Sequence, residues 1–141
     1  LKDESVEIVN LVGRIKSEAE FEDPNTVKVV VGPDSNAIYF SREPIPSRKK
    51  GVNDVPMLKQ ICIIPFRRDF LLEYTQMQPT PLEIAESIDM LRILEHGIKV
   101  KLVPTQYDTY AVDTEKDRHV VEKLLANDPV TSLYCDQNPV T

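Results

Sequence analysis

Ser41 and Arg42 follow the apolar run "AIYF" and precede "EPIP", in which Pro44 and Pro46 stand one residue apart. A guanidinium beside a core strand must reach water or find an anion. Arginine suits a planar carboxylate, because its fork of N–H groups matches the two oxygens. Taken alone, Arg42 reads first as an ordinary surface salt bridge, because exposed arginines are common. Asp113 stands one residue before Thr114, a helix-capping residue. A carboxylate there can hold a hard cation such as Mg2+, with phosphate oxygens completing the shell. It can equally serve the positive end of a helix. Glu86, Asp89 and Arg92 form a third set, each three residues from the next and hence neighbours on one helix. Apolar residues crowd around them, so their polar groups need partners.

The remaining reactive residue types are sparse. No glycine-rich phosphate loop, HExxH or GxSxG motif occurs, and no nucleophile stands with a base. His96 and His119 lack ligand spacing and read as surface residues. Cys62 lies in an apolar run and reads as a buried reduced thiol. With Cys135 as its only companion, it forms no disulfide framework, and a reducing cytoplasm fits best.

These residues need strands and helices to place them. Residues 6–13, "VEIVNLVG", alternate as a strand, and an acidic helical turn follows up to Asp23-Pro24-Asn25. "VKVVV" and "AIYFS" flank the turn residues "GPDSN", which predicts a hairpin over residues 27–41. Residues 47–55 form a polar loop with a short basic run, Arg48, Lys49 and Lys50, read as solvated. "LKQICIIPF", residues 58–66, reads as one strand buried on both faces. A short helix, "RRDFLLEYTQM", comes next. Residues 81–95 read as a continuous helix with Thr80 as N-cap, Pro81 at N1, Glu83 at N3 and Gly97 as the stop. Its apolar residues spread around most of the wheel, so it must be covered on more than one side. Core on one side and a second subunit on the other would achieve that, with Ile88, Met90 and Ile93 at the dimer interface. "IKVKLV" is a further strand. Thr114 and Asp117 cap a final helix with a stripe of Val120, Val121, Leu124 and Leu125.

Strands and helices mix along the chain, which gives α/β or α+β, and the expected fold class is α/β, a mixed sheet with flanking helices. Residues 1–128 are expected to form one domain and residues 129–141 a loose tail. The chain has 141 residues, enough for one modest core, and 41% hydrophobic with 28% charged residues is a globular composition. A net charge of −6 and a pI near 4.9 exclude a general nucleic-acid binder, which needs basic excess to neutralise phosphates. No apolar run approaches the length of a membrane span, and no signal-peptide pattern occurs.

Four segments in order, "DPNTVKVV", "AIYFSREPIP", "PLEIAESIDMLRILEHG" and "AVDTEKD", resemble the C-terminal half of the CMP-Kdo synthetases, the 3-deoxy-manno-octulosonate cytidylyltransferases. The resemblance runs from about Val6 to Leu125. It implies the sugar-binding and dimerisation half of a nucleotide-diphospho-sugar-transferase-like fold. The family moves CMP from CTP onto the anomeric hydroxyl of a 2-keto sugar acid and releases pyrophosphate. The resemblance therefore implies CTP and a sugar acid as partners, a homodimer, and Mg2+ as cofactor. It places Ser41, Arg42, Gln60 and Asp89 against the sugar acid and Asp113 on the metal. Gln60 stands where the family has histidine, Ile64 where it has tyrosine, Asp89-Met90 where it has Glu-Gln, and Ala111 where it has glycine. These changes imply altered sugar selectivity. The family's phosphate-binding loop and its other metal aspartate are not among these residues, so this chain alone is expected to be inactive. The other reading is a stand-alone, non-catalytic dimeric domain that binds a small acid or a partner protein, or serves dimerisation only.

Overall fold

The computed structural model describes residues 3–51, 54–107, 109–112 and 114–134. The chain divides into two compact units, Leu1–Tyr107 and Asp108–Thr141. The boundary expected near residue 128 thus lies inside the second unit.

The first unit carries a mixed sheet of five strands: β1 (Val9–Arg14), β2 (Lys28–Val31), β3 (Ala37–Ser41), β4 (Leu58–Ile61) and β5 (Lys101–Pro104). Their order is β3-β2-β4-β1-β5. The expected hairpin is present: β2 and β3 pair antiparallel, Val29 opposite Phe40, with a register shift at Val30/Val31. β1 runs antiparallel to β4 and parallel to β5. The hairpin turn also reaches the far edge of the sheet. Ala37 N–H donates to Val100 O at 2.9 Å and Leu102 N–H to Ser35 O at 2.9 Å, so the sheet's two edges meet at that corner.

Among the described residues four helices belong to this unit: α1 (Glu18–Glu22), α2 (Arg68–Tyr74), α3 (Pro81–Glu86) and α4 (Met90–Glu95). The core joins Ile8, Val12, Val29 and Phe40 from the sheet side to Phe70, Leu91 and Ile93 from the helices. In the second unit α5 (Glu115–Leu125) begins at the expected cap, where Thr114 Oγ1 accepts from Asp117 N–H at 3.2 Å and Asp117 Oδ2 accepts from Thr114 N–H at 2.9 Å. Its apolar stripe is not a core face, because no residue of α5 is buried. The segment expected as a loose tail begins with a short helix, α6 (Thr131–Tyr134).

Two sequence expectations change. Residues 58–66 are not one buried strand. β4 ends at Ile61, where Ile63 N–H turns back to Ile61 O at 2.7 Å, a tight turn that interrupts the alternation. Cys62 is therefore exposed rather than buried, and Ile63 is 54% exposed. Cys135 lies outside the described residues.

The long helix of residues 81–95 is also interrupted. Ser87 adopts a left-handed conformation, φ 55°, and Ser87 and Ile88 N–H groups both donate to Glu83 O. The chain restarts as α4, which ends where Gly97 takes a positive φ of 76° and donates to Leu94 O. The break explains the apolar wheel. Re-phasing after Ser87 sends Ile88, Met90, Leu91 and Ile93 into this chain's own core, at 4%, 3%, 0% and 0% exposure. A straight helix would have scattered them. Ile88, Met90 and Ile93 are thus core residues of the single chain, not surface residues awaiting a second subunit. Leu82 and Ile84 remain exposed on α3.

Candidate functional site

Ser41 is the last residue of β3 and is buried; Arg42 follows it, half-buried. The interruption after α3 brings a carboxylate and two carbonyls to this corner. Glu86 Oε1 accepts from Ser41 Oγ at 2.8 Å and from Tyr39 Oη at 3.4 Å, and Oε2 accepts from Arg42 N–H at 2.9 Å. Burial alone would raise the pKa of Glu86. The hydrogen bonds from Arg42, Ser41 and Tyr39, with the Arg42 charge, outweigh it and hold the carboxyl below the usual glutamate range.

The Arg42 side chain is anchored by backbone carbonyls. Nε donates to Glu86 O at 2.8 Å, Nη1 to Pro24 O at 2.9 Å and Nη2 to Ser87 O at 3.1 Å. Carbonyls satisfy donors without cancelling charge. Three of the five guanidinium N–H groups are spent, and two have no partner among the described residues. Arg42 is therefore held in place yet still able to meet an anion. The exit after it contains a cis peptide between Ile45 and Pro46.

Lys28 completes the corner. Its side chain is fully buried, and its ammonium donates to Asp23 O at 2.9 Å, to Thr26 O at 2.7 Å and to Arg42 O. All three of its donors are used, which makes a buried ammonium tolerable. Burial still pushes its pKa below the ordinary lysine value, against the pull of Asp23, Glu43 and Glu22. Lys28 and Arg42 together tie the loop of residues 23–26 to the end of β3. Sequence reasoning did not single out Lys28; the signal was a lysine inside the β-branched run "VKVVV".

The polar set on the expected helix is regrouped. Glu86 turns to Ser41 and Arg42. Arg92 does not pair with Asp89 but with Glu83, donating from Nε to Oε2 at 2.7 Å and from Nη2 to Oε1. Arg92 also donates to Met77 O at 3.1 Å and lies over the Tyr74 ring, 4.9 Å from its centroid. Asp89 is exposed at the start of α4. The Arg92 hydrogen bonds hold the Glu83 carboxyl below its ordinary pKa, against the cost of burial.

Gln60, on β4, is half-buried and donates from Nε2 to Asn10 Oδ1 at 2.6 Å. Asn10 is fully buried, another polar residue that sequence reasoning passed over inside "IVNLV". Asp113 lies outside the described residues. Among the described residues no three His, Cys, Asp or Glu side chains gather in a way that could hold a metal ion.

The sequence model of the cytidylyltransferase family matches residues 1–102, nearly the whole of the first unit. The chain belongs to the cytidylyltransferase family. Among its curated relatives is the 3-deoxy-manno-octulosonate cytidylyltransferase of Geobacter metallireducens, 41% identical over 133 residues, covering 86% of this chain and 52% of the relative. The enzyme of the same name from Geotalea uraniireducens is 40% identical over 134 residues, covering 87% of this chain and 53% of the relative. A solved structure of CMP:2-keto-3-deoxy-manno-octonic acid synthetase complexed with CTP superposes with a TM-score of 0.79 at 35% identity, covering 88% of this chain and 51% of that one. The chain thus spans about half the length of these cytidylyltransferases. No helix among the described residues is long and apolar enough to cross a membrane.

Proposed function

We propose that this chain is the sugar-acid-binding part of a cytidylyltransferase that transfers CMP from CTP to a 2-keto sugar acid, Kdo or a related one. In that reaction the anomeric oxygen of the sugar forms a bond to the α-phosphorus of CTP. The bond from that phosphorus to the β-phosphate oxygen breaks, and pyrophosphate leaves. The observation that carries the reading is Arg42, anchored by three carbonyls and with N–H groups to spare. A carboxylate is the natural partner of such a fork. Ser41 stands beside it, and Gln60 and Asp89 are the further proposed sugar contacts. Asp113 is the proposed Mg2+ ligand, and the ion would supply charge stabilisation at the α-phosphate of CTP. A homodimer is also part of the proposal, with the exposed Leu82 and Ile84 of α3 as its apolar contacts.

The test is a pair of calorimetric titrations of the 141-residue chain, one with Kdo and one with CTP. Saturable binding of Kdo without binding of CTP supports the assignment. Binding of CTP alone contradicts it. The rival reading, a non-catalytic domain that binds a small acid, predicts the same Kdo titration. It parts from the first when the chain is joined to the nucleotide-binding portion of a relative, where only the first expects pyrophosphate release.

A further inference from the structure

Asn10 and Gln60 share one face of the sheet. Gln60 is paired with Val12, two residues along β1 from Asn10, and side chains two apart in a strand point the same way. Asn10 Nδ2 donates to Leu11 O and to Ile61 O, both at 2.8 Å. An amide nitrogen has two hydrogens, and both are spent. Reversing the amide would set its oxygen against two carbonyl oxygens in a fully buried place, so the orientation is fixed by chemistry. Asn10 Oδ1 can then only accept, and it accepts from Gln60 Nε2 at 2.6 Å. The Gln60 nitrogen is thereby turned toward Asn10. In a planar amide the carbonyl oxygen leaves on the other side, and Gln60 Oε1 accepts no hydrogen bond from the described residues.

We propose that Asn10 is a positioning residue that locks the Gln60 amide, so that Gln60 presents Oε1 as a hydrogen-bond acceptor to a hydroxyl of the sugar acid. This rests on the reading of Gln60 as a sugar-facing residue. It goes further by fixing polarity. The ligand group opposite Gln60 must be a donor, and a sugar acid methylated at that hydroxyl is rejected, because the acceptor then faces no hydrogen.

Side-chain amide NMR on the intact chain tests the lock without any ligand. One Gln60 Nε2 proton exchanges with solvent at least about tenfold slower than in free glutamine, as one buried hydrogen bond provides. Exchange at the free rate in the folded protein overturns the proposal. Gln60→Glu gives a second readout in case Asn10 variants fail to fold. Only a protonated carboxyl can donate to Asn10 Oδ1, so the new carboxyl titrates above the ordinary glutamate range; titration at the ordinary value overturns the lock. Kdo is then added to the wild-type chain. The Gln60 Cδ resonance shifts while the Nε2 protection persists. Kdo-induced shifts with loss of that protection contradict the inference and leave the sugar-acid reading standing. Absence of any Kdo-induced shift removes the sugar site and the ligand assigned to Oε1, and the exchange and titration results still decide the role of Asn10.

Discussion

Arg42 spends three N–H groups on carbonyls from two separate segments, so its removal does more than delete a charge. Arg42→Ala leaves the carbonyls of Pro24, Glu86 and Ser87 to find water, and costs about 1–3 kcal/mol of stability by urea unfolding. Glu86→Gln is the sharper probe of the corner. The amide keeps the shape but loses the charge that holds Ser41 Oγ and Arg42 N–H. It destabilises by about 1–2 kcal/mol, and an unchanged urea midpoint would show that the Glu86 charge does not hold this corner. The sequence marked Ser41 and Arg42 correctly as a strand end in need of a partner. It could not reveal that the Glu86 carboxylate takes the Ser41 hydroxyl and the Arg42 backbone N–H, because 44 residues separate Arg42 from Glu86 and the contact exists only once α3 is interrupted. Lys28 and Asn10 were missed for a related reason. A single polar residue in an apolar strand looks like a solvent-facing position until the other face is seen to be covered.

The break at Ser87 is the feature of the helical layer that periodicity could not supply. Glu83, whose carboxylate accepts from Thr80 N–H, and the stop at Gly97 were legible, because they act within a few residues of themselves. At the break Arg42 takes the carbonyls of Glu86 and Ser87, a contact from a distant strand. A serine in the left-handed region carries a backbone cost that glycine does not. Ser87→Gly is therefore neutral or stabilising, by up to about 1 kcal/mol, whereas Ser87→Ile destabilises by more than about 1 kcal/mol; the reverse order in thermal unfolding would contradict the backbone assignment. The flanking carboxylates also set a pH dependence. Glu83 and Glu86 both have folded pKa values below the ordinary one. The unfolded chain therefore binds more protons as pH falls, and the folded state loses stability. Their contribution is complete above the ordinary glutamate value of about 4.3 and is lost as pH falls through the lower folded values. Glu83→Gln flattens the slope of stability against pH below about pH 5, measured by urea midpoints, and leaves an unchanged slope near pH 7.

At the scale of the molecule, the mixed sheet and its hairpin were readable from alternation and turn chemistry, while strand order and the division near Tyr107 were not. The apolar crowding of residues 81–95 was read as a surface for a second subunit, and the fold uses most of it for its own core. Ile93→Ala accordingly costs about 2–5 kcal/mol of stability, the range for truncating a buried aliphatic side chain. Ile84→Glu, on the exposed side of α3, leaves stability nearly unchanged and shifts the proposed dimer to monomer in sedimentation velocity. A wild-type chain that sediments as a monomer at tens of micromolar, roughly the range of transient interfaces, would remove the dimer from the account. The central claim, that this chain holds a sugar acid at the end of β3, is tested most directly by calorimetric titration of Kdo into the wild-type chain, Arg42→Lys and Arg42→Ala, each first shown to be folded. Lysine keeps the charge and loses the fork. The account predicts saturable binding to the wild type, weakened about tenfold or more by Arg42→Lys and abolished by Arg42→Ala. Kdo binding of equal strength in all three proteins, or none in the wild type, would contradict it.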